Sequence, residues 1–330
     1  MSKHTPKTFQ ELKWLVDDES VYLGDIDTSA ITDMSYLFER SARTDFSGIE
    51  SWDVSNVVDM NYMFRMCYSF NYDISSWNVS KVRDMSNMFW DCRNFNQPLD
   101  SWDTSSVRDM SFMFFECHHF NQPLNGWNVS NVEDMRGMFK RCYNFNQPLN
   151  RWIIKNVKNM ADMFCECKKF NQNINSWDVS NVEDMGSMFE CCEVFNSPLD
   201  RWNTSKVKSM GHMFRECKKF NKNISKWDVS NVTDMKYMFY KCRSFNQPLN
   251  NWDVSNVKNM FSIFFECQSF NQPLNNWDMS NVTNMKCMFY GCKSFNQPLA
   301  NWDMSKVIYT PYMLMFRNCP IKDEYKPKFK

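Results

Sequence analysis

Residues Trp227 to Trp252 read W-D-V-S-N-V-T-D-M-K-Y-M-F-Y-K-C-R-S-F-N-Q-P-L-N-N-W, and the closing Trp opens the same phrase again. Eleven of the thirteen Trp lie in one series with a step of 25 residues, Trp52, Trp77, Trp102, Trp127, Trp152, Trp177, Trp202, Trp227, Trp252, Trp277 and Trp302. The same step carries Cys67 to Cys292, Phe64 to Phe289 and Phe70 to Phe295, so ten full units run from Trp52 to Asn301. A fixed period of this length is the mark of a solenoid, in which each unit buries its apolar face against its neighbours. The period also removes the size limit of a single core, which 330 residues would otherwise strain.

Within a unit the apolar periodicity changes. Met60, Met63, Phe64 and Cys67 follow i, i+3, i+4, i+7, which predicts one face of a short helix. Asp59 stands before it as a candidate N-cap, with Asp84, Asp109, Asp134, Asp184 and Asp234 at the same place in other units. Upstream, Trp52 and Val54 alternate with Ser51, Asp53 and Ser55, the pattern of a very short strand with Trp and Val inward. Phe-Asn-Gln-Pro-Leu supplies the return turn. The repeated Asn after Phe, from Asn71 to Asn296, suits an inward ladder bonding the backbone of adjacent coils. The fold class expected is an α/β solenoid like that of leucine-rich repeats, with ten coils of a short parallel strand and a short helix.

The ends depart from the phrase. Residues 1–51 read as an N-terminal cap, with an amphipathic helix over Pro6 to Val16 started by Thr8 and Glu11. A strand follows over Val21 to Asp27, then a degenerate unit whose Phe38 lies 26 residues before Phe64. Residues 302–330 read as a partial repeat and C-terminal cap, with Pro311 inside an irregular stretch. Caps of this kind cover the apolar ends of a repeat array.

The L-x-x-W-x-V spacing, as in Leu124, Trp127 and Val129, resembles the strand of a leucine-rich repeat. The whole unit is similar to those of the BspA-like leucine-rich-repeat surface proteins, in the branch that reads W-D-V-S-N-V-x-D-M-x-x-M-F, and Asn281 to Trp302 matches it closely. The resemblance implies an α/β solenoid, protein binding or adhesion at a cell surface, and no catalytic residues.

Charge and chemistry narrow the function. Thirty-eight Lys and Arg balance 38 Asp and Glu, so no basic field exists for nucleic acid. No stretch reaches the roughly 18 apolar residues of a membrane span, and Met1 to Gln10 shows no signal peptide. These features point to a monomer in the cytoplasm, with a cell-surface or secreted location as the alternative that the resemblance implies. Ten of the fourteen Cys share one inward position and read as a column of reduced, buried thiols. Cys165, Cys191 and Cys287 fall at more exposed positions. The four His have no recurring partner, and His118 and His119 read as solvated. No cofactor, metal or catalytic motif is found.

The units differ at positions 9, 10, 13 and 14 after each Trp, which the helical reading turns outward. There Tyr237, Tyr240, Phe261, Phe265 and Tyr290 collect aromatic rings in three successive coils, as Trp90, Phe112 and Phe115 do earlier. Clustered aromatics outside a core mark an interface. The residue after each Trp forms an outward ladder that ends in four consecutive acids, Asp228, Asp253, Asp278 and Asp303. Such a ladder either stays solvated or shares a cation or a basic partner. The expected function is a non-enzymatic binding module with a protein partner; a passive structural or surface-coat role is the alternative.

Overall fold

The computed structural model describes residues 4–307 and 314–328. Two compact units divide the chain, Met1–Val157 and Lys158–Lys330, and the boundary falls inside the array of repeats rather than at a cap. Each unit is assembled from the same 25-residue coil, and all eleven Trp of the series are buried.

The residues expected to face inward do so: Met60, Met63, Phe64 and Cys67 are fully buried, as are their equivalents. The backbone that carries them is not a helix. In the coil of Trp52 the N–H groups of Met60, Tyr62, Phe64 and Met66 donate to the carbonyls of Asp84, Ser86, Met88 and Trp90 in the next coil. The intervening N–H groups of Met63, Arg65 and Cys67 close turns onto the carbonyls of Met60, Tyr62 and Phe64. The Asn61 N–H donates to Asp59 Oδ1 at 2.9 Å. Every backbone N–H from Met60 to Cys67 is therefore paired, as a buried backbone requires. Two successive four-residue turns place their first, fourth, fifth and eighth residues inward just as two helical turns do, so apolar spacing alone does not separate the two. Eight residues are also too few to sustain a helix by internal bonds. Asp59 accordingly serves as the acceptor of a side-chain turn rather than as a helix cap.

These turns need left-handed backbone. Tyr62 and Met66 have φ of 56° and 59°, and twenty-two described non-glycine residues share a positive φ, most of them at these two positions of successive coils. Each costs on the order of 1 kcal/mol. Glycine takes the place at Gly137 and Gly291.

The Trp–Val segment alternates inward and outward as expected, yet it forms no strand. Parallel pairing occurs as single bridges a few residues later, joining Asp33, Asp59, Asp84, Asp109 and Asp134 in one unit and Asn159, Asp184, Ser209, Asp234, Asn259 and Asn284 in the other. Side chains complete the links between coils. The Trp127 indole N–H donates to the Leu99 carbonyl at 2.7 Å, and the same bond recurs from Trp77 to Ile49 and from Trp227 to Leu199. The Cys92 thiol donates to the Phe64 carbonyl at 2.9 Å, a contact repeated along the column. Where Thr104 and Thr204 replace the inward Val, their hydroxyls donate to the carbonyls of Asn128 and Asp228 at 3.0 and 2.8 Å. Core rings stack in offset columns, Phe64 on Phe89 at 5.7 Å and Phe89 on Phe114 at 5.6 Å between centroids. The Asn ladder forms as expected, Asn96 Oδ1 accepting from the Asn121 N–H at 2.9 Å and Asn121 from Asn146 at 2.9 Å. It lies at the surface, half-buried to exposed, and not inward.

At the N-terminal end, helix α1 (Phe9–Asp17) begins at Thr8, whose side chain accepts from the Glu11 N–H. The Glu11 carboxylate accepts from Lys7 N–H, one residue earlier than a capping box would place it. Leu12 and Val16 of α1 are buried. The buried Arg43 fastens this cap by donating to the carbonyls of Val16, Val21, Asp45 and Asp18. The expected strand over Val21 to Asp27 is a 3-10 turn, Leu23–Asp25, followed by one bridge from Ile26 to His4. Phe38 stacks on Phe64 at 5.5 Å despite its extra residue, so the degenerate unit keeps register. At the C-terminal end Phe316 stacks on Phe289, and the Leu299 N–H donates to the Tyr325 carbonyl. Pro311 lies outside the described residues.

Two substitutions test the links between coils. Trp127→Phe removes one of the two donors on the Leu99 carbonyl, which keeps the Trp102 N–H, and leaves a smaller ring in a buried place, so it is expected to cost about 1–3 kcal/mol in denaturant titration. Asp134 is half-buried, and desolvation raises its pKa above the ordinary value despite the Arg136 N–H it accepts. A carboxyl whose folded pKa exceeds its unfolded one weakens the fold at neutral pH, and that loss vanishes as pH falls through the raised value. Asp134→Asn keeps the acceptor without the charge. It is expected to match or exceed wild-type stability at pH 7 and to lose the advantage in acid, whereas Asp134→Ala costs about 1 kcal/mol.

Candidate binding surface

Tyr240, Phe265 and Tyr290 occupy one place in three successive coils. Tyr240 and Phe265 stack with centroids 4.7 Å apart and planes 15° apart; Phe265 and Tyr290 stack at 4.7 Å and 3°. Tyr237 meets Tyr240 edge-on at 5.4 Å and Phe261 at 4.9 Å. The structure thus gathers all five aromatic residues singled out from the sequence. They are half-buried rather than fully outward, because stacked rings cover one another's faces. None belongs to the Met/Phe/Cys core set.

Two neighbours, Arg215 and His212, are not singled out from the sequence as parts of this surface. The Arg215 guanidinium lies over the Tyr240 ring at 5.3 Å and pairs with Glu190. His212 packs on Tyr237 at 4.7 Å, with Nδ1 3.8 Å from Glu190 Oε2. Burial pushes the His212 pKa down. The 25-residue step from Arg215 to Tyr240 and from His212 to Tyr237 is the signal that locates both. Lys241 lies 5.1 Å from the Tyr240 ring.

The first unit holds a comparable cluster. Trp90 contacts Phe112 at 5.8 Å and Phe115 at 4.8 Å. Arg65 lies 4.6 Å from the Trp90 ring and pairs with Glu39 at 2.6 Å. Tyr36 and Tyr62 stack at 4.7 Å, a pair the sequence reading did not single out because it lies partly in the degenerate unit. In the coils that carry Trp90, Phe112 and Phe115, Ser86, Asn87, Asp91 and Ser111 are buried.

The acidic ladder behaves differently. Asp228, Asp253, Asp278 and Asp303 are exposed, and Oδ1 of each accepts the N–H of the Ser two residues on, at 2.9–3.0 Å. Asp53, Asp103 and Asp178 make the same turn, and the Ser hydroxyl and N–H hold their pKa values below the ordinary range. The ladder is a column of side-chain turns. Among the described residues no three His, Cys, Asp or Glu side chains converge to hold a metal ion.

All fourteen Cys are free thiols. Burial raises the column above ordinary thiol values, Cys67 to about 12, and pushes Cys92, Cys117 and Cys242 well above the usual range. Cys165, expected to be more exposed, is buried; Cys191 and Cys287 are half-exposed as expected. Burial raises Cys191 to about 11. His118 is not fully solvated, since it stacks on Tyr143 at 4.6 Å.

Among the described residues no helix is long and apolar enough to cross a membrane. The family described as "Mycoplasma protein of unknown function, DUF285" matches five overlapping stretches, residues 6–125, 75–165, 94–198, 149–239 and 212–325. No curated protein matches the chain.

Reactivity should follow burial. Alkylation of native protein under reducing conditions is expected to label Cys287, Cys191 and Cys319 first and to spare the column for as long as the fold holds. Denatured protein should yield all fourteen. Fast labelling of Cys117 or Cys242 in native protein contradicts the thiol–carbonyl contacts.

Proposed function

The chain belongs to the family of repeat proteins described as "Mycoplasma protein of unknown function, DUF285", and we propose that it is a non-enzymatic binding module that docks a protein partner through the side of its coils. The observation that carries the reading is the stack of Tyr240, Phe265 and Tyr290. Three rings held at equal height by three coils form a rigid apolar anchor, the kind of feature in which binding energy concentrates. Their coils are already fixed by the ladder beneath, so little order is lost on docking. The resemblance to BspA-like leucine-rich-repeat surface proteins extends the reading to adhesion at a cell surface. A monomer working in the cytoplasm is the alternative location.

A passive structural or coat role is the second reading. It is favoured by the acidic ladder, whose carboxylates are engaged in their own turns.

The test replaces Tyr240, Phe265 and Tyr290 together by Ser. Wild type and variant, matched by circular dichroism and melting, are immobilised and exposed to the same protein extract. Wild type is expected to retain a small set of proteins, and the variant at least tenfold less. Equal retention removes the column as the anchor. Unfolding of the variant makes the column part of the core. Retention of nothing by wild type favours the passive role.

A further inference from the structure

We infer that the Tyr240–Phe265–Tyr290 column receives an acidic, extended peptide segment with apolar side chains between its acids. The inference rests on the reading of this column as a binding surface and adds the chemistry of the occupant.

Ring geometry limits what fits. An inserted base or aromatic ring needs about 7 Å between its neighbours, two van der Waals contacts, whereas these rings stand 4.7 Å apart. The column therefore offers its edges. Ring edges carry the positive end of the aromatic quadrupole, which favours carboxylate and carbonyl oxygens as well as apolar groups. The hydroxyls of Tyr240 and Tyr290 make no hydrogen bond among the described residues, leaving two donors at the same edge.

Charge points the same way. Over 234–243, 259–268 and 284–293, the stretches that carry the column, the cations are Lys236, Lys241, Arg243, Lys286 and Lys293, against Asp234 and Glu266. Asp234 is paired with Lys236 at 3.0 Å. The equivalent stretch 184–193 of the same unit holds Asp184, Glu190 and Glu193 and no cation, and the whole chain is neutral. The three stretches together hold five cations against two acids, an excess that the stretch 134–143 shares, with Arg136, Lys140 and Arg141 against Asp134, without a ring column of its own. The earlier cluster around Trp90 stands in equivalent stretches, 84–93 and 109–118, with more acid than base, Asp84, Asp91, Asp109 and Glu116 against Arg93, although Arg65, Arg136 and Arg141 reach its rings from adjacent coils.

Both ends of the column carry a guanidinium. Arg215 lies over Tyr240 at one end, its charge shared with Glu190 and Glu216. At the other, the Gly291 N–H donates to the Arg317 carbonyl as Lys241 does to Phe265 and Glu266 to Tyr290. That bond assigns the exposed Arg317 to the next place after Tyr290. Four steps of about 4.8 Å separate the two guanidinium-bearing places, the reach of about six extended residues. A segment with apolar side chains at its centre and Asp or Glu at its flanks matches this layout.

The experiment selects random twelve-residue peptides by display against the full chain, then measures the recovered sequences by fluorescence anisotropy. The expected peptides carry Asp or Glu on both sides of apolar residues. Their affinity should fall at least tenfold between 50 mM and 500 mM salt. It should fall as much in a Lys241→Glu/Lys286→Glu/Lys293→Glu variant that keeps its melting temperature, and vanish in the triple Ser variant. Peptides without acidic bias that still need the three rings overturn the acidic occupant and leave the binding surface standing. Peptides indifferent to the triple Ser variant, or none at all, overturn both. Displacement of bound peptide by a single-stranded oligonucleotide, with peptides of mixed charge, also overturns the inference.

Discussion

The hydrogen bonds that cross between coils at every second residue of the Asp59–Cys67 segment are the constraint on which the remaining structure depends. They fix the separation of coils at the spacing of a parallel ladder. They also leave the alternate N–H groups to close turns within the coil, and that division forces left-handed backbone at two positions per coil. The αL cost is tolerated because the same turns drive two Met, a Phe and a Cys inward. Trp indoles, Cys thiols and Thr hydroxyls then use the second lone pair of carbonyls, or carbonyls of the next coil, that the turns leave available.

Much of this was legible in the sequence. The 25-residue step located every buried Trp, the Cys column, the Asn ladder and the five rings that come together near the C-terminal end. The local conformation was not legible, for an identifiable reason. Met60, Met63, Phe64 and Cys67 satisfy a helical template and a pair of turns equally, and glycine, the usual sign of left-handed backbone, is scarce. Residues such as Tyr62, Phe112 and Tyr237 occupy αL places with no local signal, because neighbouring coils and not intrinsic preference hold them there. The ring column shows the same split. Its membership, and the place of Arg215 one step before Tyr240, follow from counting, whereas the burial of its faces follows from how the rings stack.

Two ladders of similar appearance in the sequence separate on physical grounds. The acids after each Trp sit in open solvent and are engaged by the Ser two residues on, so their charge costs little. The acids before each Met sit in the bridge itself. Burial opposes the charge at Asp59 and Asp134, and later coils replace it with Asn259 and Asn284. Removing acid from the bridge in those coils also lets cations dominate around the stacked rings.

Because each coil gives and receives the same set of bonds, the array is indifferent to which coil adjoins which. Loss of residues 202–226 by unequal recombination would rejoin Trp177 to Trp227, Phe189 to Phe239 and Cys192 to Cys242 with no core residue out of place. Outside the core the same event would set Glu190 where Arg215 now stands, directly beside Tyr240. Exchange of whole coils can therefore rewrite the outer face in 25-residue words while the interior keeps its grammar, so recognition and stability can evolve along separate tracks.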